Sequence, residues 1–155
     1  MKQPSLTGLQ KAKGLLKEKN VNFVMFQRDT LVMTSLHRGI IPLMLAIRDY
    51  PTEMKGAAAA DKVIGKAGAL LVLFGQLGSI YADVLSCKGK VLLDKYQINY
   101  QFGQCVDRIE NRGKNGPCPM ERLTEDIDNP QIAYQRIFDY YQNIFDIDLS
   151  TLNPR

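Results

Sequence analysis

The stretch AAAADKVIGKAGALLVLF, residues 57–74, decides the fold. Four alanines lead into Asp61, and from there Val63, Ala67, Leu70, Leu71 and Phe74 recur at helical spacing. Asp61 suits the N-cap of a helix over 62–76, because a carboxylate accepts from the unpaired N–H groups of a first turn. Val72 and Leu73 make the opposite side apolar as well, so the helix is central and covered on most sides. Alanine is a poor strand former. A short strand at 57–60 is nonetheless expected, since a buried helix of an α/β protein follows a strand. Gly65 and Gly68 cost such a helix about 1 kcal/mol each relative to alanine. They signal close approach by another backbone, by a partner subunit or by a ligand.

On the N-terminal side, Val21–Gln27 reads as a strand apolar on both faces. Arg28 and Asp29 connect it tightly to a second strand, Thr30–Ser35, and the two form a hairpin. A first helix precedes them, capped by Ser5 or Thr7, with Leu9, Ala12 and Leu16 on one face. Between hairpin and alanine run, Ile40, Leu43, Met44 and Ile47 mark a helix that tolerates Pro42 in its first turn and ends at Tyr50-Pro51. On the C-terminal side, Ser79–Leu85 reads as a strand. Ser86 or Cys87 then opens a short helix carrying Val91, Leu92 and Leu93, and Tyr96–Phe102 is a fifth strand. A hairpin followed by alternating helices and strands predicts an α/β protein, a five-strand mixed sheet with helices on both faces. The run at 111–119 is loop by composition. Pro130–Phe145 is an amphipathic helix with Tyr134, Ile137, Phe138 and Tyr141 on one face. The chain thus divides into a core domain over 1–125 and a C-terminal helical extension over 126–155.

Composition narrows the classes of function. The 155 residues, 45% hydrophobic and 23% charged, describe one globular domain and exclude a disordered tail or a collagen-like repeat. The longest apolar runs, Ile40–Ile47 and Ala67–Phe74, fall far short of the roughly 20 residues of a membrane span. Three cysteines, Cys87, Cys105 and Cys118, are too scattered for a disulfide framework, and the first two read as small apolar residues. With no apolar leader after Met1, a reduced, cytoplasmic protein is expected. Residues 1–66 carry 11 Lys and Arg against 5 Asp and Glu, while the remainder carry 9 against 11. A basic half attracts phosphates. Lys11, Lys13, Lys17 and Lys19 nevertheless form a solvated helix face with no aromatics between them, so nucleic acid is not the expected partner.

The segments Arg38-Gly39-Ile40, Ala60-Asp61-Lys62-Val63-Ile64-Gly65-Lys66-Ala67 and Cys118-Pro119-Met120-Glu121, in this order of elements, resemble the cytidine-deaminase-like superfamily. Within it they look like a small bacterial family of unknown function that lacks the zinc motif. The resemblance spans about residues 20 to 125. It implies a three-layer α/β/α fold and a homodimer or higher homo-oligomer. Zinc deaminases of that superfamily hold the metal with a His-x-Glu or Cys-x-Glu and a Pro-Cys-x-x-Cys, the Glu moving protons and the zinc activating water. Laid on this chain, His37 matches the first ligand, but Gly39 stands for the Glu, and Asp61 and Ile64 stand for the cysteines. Two possible ligands fall short of the three a catalytic zinc requires, so no metal and no other cofactor is expected.

The candidate site residues gather at two expected helix starts. Ser35 and Arg38 open one, and Asp61, Lys62 and Lys66 open the other. Helix starts present unpaired N–H groups and positive potential, and Arg38, Lys62 and Lys66 add charge. At the carboxyl ends of strands this pattern suits a nucleotide or another small anion. Without a ligand, Asp61 is simply a cap and the lysines are solvated. Asn111, in the loop, orients a ligand or only turns the chain. Cys118 reads as an N-cap, Pro119 as the first helical residue and Glu121 as the capping-box position. A thiol at a helix start is a candidate nucleophile, although Glu121 opposes its ionisation and a structural cysteine fits the same pattern. Three functions follow. The preferred one is a binding module for a nucleotide or other anion. The others are a zinc-independent enzyme using Cys118, or Asp61 with Lys66, and a non-catalytic homo-oligomeric interaction protein.

Overall fold

Thr7 caps α1 (Gly8–Glu18) in a reciprocal capping box: its hydroxyl accepts from the Gln10 N–H, and the Gln10 side chain accepts from the Thr7 N–H. The computed structural model describes residues 7–110, 116 and 118–144. A hairpin follows, β1 (Phe23–Gln27) and β2 (Thr30–Ser35), turning through Arg28 at a φ of 54°. Then come α2 (Ile41–Asp49), α3 (Pro51–Met54), β3 (Ala58–Ile64), α4 (Lys66–Gly75), β4 (Ser79–Ser86), α5 (Cys87–Lys95) and β5 (Asn99–Val106). The described chain closes with α6 (Pro119–Leu123) and α7 (Pro130–Ile144). The five strands form one mixed sheet in the order β2-β1-β3-β4-β5, with β1 antiparallel to both neighbours and β3, β4 and β5 parallel.

The crossovers from β2 to β3, β3 to β4 and β4 to β5 all join parallel strands and step in one direction. Right-handed connections therefore place α2, α4 and α5 on the same face, where they share one core with Phe23, Ile80 and Leu85. On the other face α1 buries Leu9, Ala12 and Leu16 against Val24, Ala58, Ala60 and Tyr81. The arrangement is three-layered, as the alternation of elements predicts.

The alanine run has a packing reason. β3 is paired along both edges and covered on both faces, so Ala58 and Ala60 lie under α1 while Ala59 lies in the larger core. Only small side chains let α1 come this close to a middle strand. The strand also runs further than the sequence suggests. Asp61, Val63 and Ile64 continue the ladder with Ala82, Val84 and Leu85, so the helix expected over 62–76 starts at Lys66 and Asp61 does not cap it. β5 likewise begins later than expected, at Asn99, because Tyr96–Ile98 terminate α5. Gln97 takes a left-handed φ of 58°, and the Ile98 N–H donates back to the Leu93 carbonyl. α7 completes the helical layer, with Ala133 and Ile137 fully buried and Tyr134 stacked on Phe74 of α4, ring centroids 4.4 Å apart. Among the described residues no helix is long and apolar enough to cross a membrane.

Candidate functional site

Gly65 stands between β3 and α4 in the N-cap position and has no side chain with which to cap. Glu121 of α6 does it instead, its Oε1 accepting from the Lys66 N–H at 2.8 Å. A Cβ on Gly65 would lie 1.7 Å from that oxygen, so only glycine admits the carboxylate. This corrects the expectation that Glu121 serves a capping box with Cys118. Cys118 is the N-cap of α6 but makes no side-chain cap bond, and Glu121 reaches a helix 55 residues away in sequence. The bond from the Cys118 N–H to the Ile109 carbonyl, 2.9 Å, ties the start of α6 into this corner. Burial holds the Glu121 carboxyl above its ordinary value, outweighing the Lys66 N–H bond and the charges of Lys88 and Lys66.

Beside Glu121 lies a cavity of about 170 Å³ at the carboxyl end of β3, between the starts of α2 and α4. Its walls are apolar, supplied by Leu43, Val63, Ile109 and Met120, and Gly65 and Gly68 keep it open against α4. Three side chains bring polar atoms to it: Glu121, Cys118 and Tyr141. Burial, with the Cys118 thiol next in importance, pushes the Tyr141 hydroxyl up to about 12, so it remains a hydrogen-bond donor across the physiological range.

The residues singled out in the sequence are distributed unevenly around this cavity. Cys118 lines it, and Lys66 contributes its backbone N–H at the α4 start. The Lys66 ammonium turns away, donating to the Glu125 carbonyl at 3.0 Å and pairing with Asp128 at 3.1 Å. Lys62 lies 3.8 Å from Asp83, a carboxylate that also accepts from the Tyr81 hydroxyl, on the α1 side of the sheet. Ser35 is buried at the end of β2, its Oγ accepting from the His37 N–H at 3.1 Å. It does not open a helix, because α2 begins only at Ile41. Arg38 is exposed next to Gly39, a cavity residue. Asn111 lies outside the described residues.

Asp61 is fully enclosed in β3, level with Phe23 and Ala82 in the neighbouring strands. One oxygen accepts weakly from the Val63 N–H at 3.4 Å, and the other has no partner among the described residues. Burial pushes this carboxyl up to about 8. Cys87 and Cys105 also differ from expectation: both are exposed, and their sulfurs lie 3.8 Å apart. Among the described residues no three His, Cys, Asp or Glu side chains gather as a metal-holding group. The parts of the site that sequence reasoning missed are Glu121 as a long-range cap, Gly39, Met120 and Tyr141. One signal was readable: a glycine directly before a helix leaves a first turn that something else must cap.

The family TM1506, described as a domain of unknown function (DUF1893), matches residues 11–141. The chain is also similar in fold to the crystal structure of a DUF1893 family protein, TM1506, from Thermotoga maritima. The TM-score is 0.78 at 19% identity, covering 87% of this chain and 91% of that one. No curated protein matches the chain. The family match runs from α1 into α7 and takes in every element that borders the cavity, so the chain belongs to the DUF1893 family.

Proposed function

We propose that this chain is a binding module with a cytidine-deaminase-like fold, which takes a ring of nucleobase size into the cavity between α2 and α4. The observation that carries the reading is Glu121, a partly buried carboxylate in a mainly apolar wall, with one oxygen fixed by the Lys66 N–H. Its second oxygen suits an N–H donor on the edge of a ring, and the apolar walls suit its faces. The size is appropriate, since a cavity of roughly 150 Å³ accommodates benzene, and this one measures about 170 Å³.

The α4 start already carries an anion, the Glu121 carboxylate, so a phosphate is not received there. If the ligand is a nucleotide, its phosphate falls to exposed Arg38, beside Gly39 at the cavity. Zinc-dependent deamination does not fit these residues. The positions that correspond to the metal cysteines hold Asp61, enclosed in the sheet, and Ile64, part of the core.

Thermal-shift measurements with free bases, nucleosides and mononucleotides test the reading. A ligand at 100 times its Kd stabilises by about 2.7 kcal/mol, which for a chain of this size raises Tm by roughly 5–10 °C. Val63→Trp, which fills the cavity from a partly exposed position, should abolish the shift. Arg38→Ala should weaken only phosphorylated ligands. The reading fails if no member of the series stabilises the wild type, or if the Val63→Trp variant responds equally.

A further inference from the structure

Cys87 and Cys105 meet at one corner of the sheet, coming from two different elements. Cys105 sits in β5 opposite Leu85, and Cys87 is the first residue of α5, directly after the Ser86–Val106 pairing of β4 with β5. That pairing anchors both backbones beside the two side chains. Both residues are exposed, and their sulfurs are 3.8 Å apart. A disulfide places sulfurs about 2.05 Å apart, so closure needs an approach of about 1.8 Å, within the sweep of a small side-chain rotation. The Asp107 carboxylate lies 3.7 Å from the Cys87 sulfur. The hydrogen bond with Cys105, burial and the nearby Asp107 carboxylate hold the Cys87 thiol above its ordinary value.

We propose that Cys87 and Cys105 form a thiol–disulfide exchange site, which closes to an intramolecular disulfide when the chain meets a low-molecular-weight disulfide. One protein thiol loses its proton to solvent and attacks a sulfur of the reagent. The reagent S–S bond breaks, and the first thiolate leaves and takes up a proton. The second cysteine, likewise deprotonated, attacks the protein sulfur of this mixed disulfide and expels the second thiolate. Two electrons and two protons pass from the protein to the reagent, which ends as two thiols. The third cysteine, Cys118, belongs to the cavity wall and takes no part.

The test uses the folded full-length chain, excess oxidised glutathione, alkylation of the remaining thiols and non-reducing peptide mass mapping. The expected product has lost two of its three thiols and two hydrogens. It contains a Cys87–Cys105 cross-linked peptide and retains no glutathione on either residue. Cys105→Ser should stop at the first step, with one glutathione left on Cys87. Stable glutathione adducts on both cysteines of the wild type, a cross-link to Cys118 or between chains, or full retention of all three thiols would each overturn the proposal.

Discussion

At Asp61 a carboxyl group occupies the middle strand with one oxygen unpartnered among the described residues, and burial raises it from its ordinary 3.8 to about 8. Below 3.8 the folded and unfolded chains both hold the proton, and the contribution of this group to stability is complete. Between 3.8 and 8 only the folded chain holds it, so stability falls as pH rises, by up to about 1.4 kcal/mol per pH unit. Above 8 the loss is complete. Asp61→Asn keeps the shape and cannot ionise, so it should remove this slope. Urea unfolding at several pH values from 5 to 9 should show the variant gaining steadily on the wild type up to about pH 8. Parallel stability curves would mean that Asp61 does not titrate in this window. The composition of the strand was visible in the sequence, but the solvation of one carboxyl was not, because burial depends on what packs over that face of β3.

The start of α4 depends on α6, a coupling between elements that are distant in the chain. Removing the Glu121 carboxylate leaves the Lys66 N–H without its cap, and adding a methyl group at Gly65 forces the carboxylate out. Glu121→Ala and Gly65→Ala should therefore each cost about 0.5–2 kcal/mol, the range of a lost N-cap. The double variant should cost clearly less than their sum, since both remove the same bond. Additive losses in denaturant unfolding would show that the two residues act separately. The periodic apolar faces of α1, α2, α4 and α7 were legible from spacing alone. The cap of α4 was not, because local reading assigns Glu121 to its own helix, and only the packing of α6 across Gly65 redirects it.

At the scale of the whole molecule, α7 shares the main core through Ala133, Ile137 and the stack of Tyr134 on Phe74. It also supplies Tyr141 to the cavity. Ile137→Ala should lower stability by about 2–5 kcal/mol, as for other fully buried aliphatic side chains. The loss should appear as an earlier midpoint of one cooperative transition, with helical and aromatic circular dichroism changing together. A separate early transition confined to the helical signal would show that α7 folds apart from the sheet.

The sequence by itself determined the α/β alternation, the hairpin and the amphipathic helices, since each depends on residues within a few positions of one another. Tertiary structure decided the rest. It extended β3 through Asp61, turned Lys62 and Lys66 toward other partners, placed Glu121 on α4 and brought Cys87 against Cys105. The physical reason is common to all four. Strand pairing, burial and side-chain contacts across many residues are set by how elements pack, and a local pattern carries no record of which distant group will occupy the space beside it.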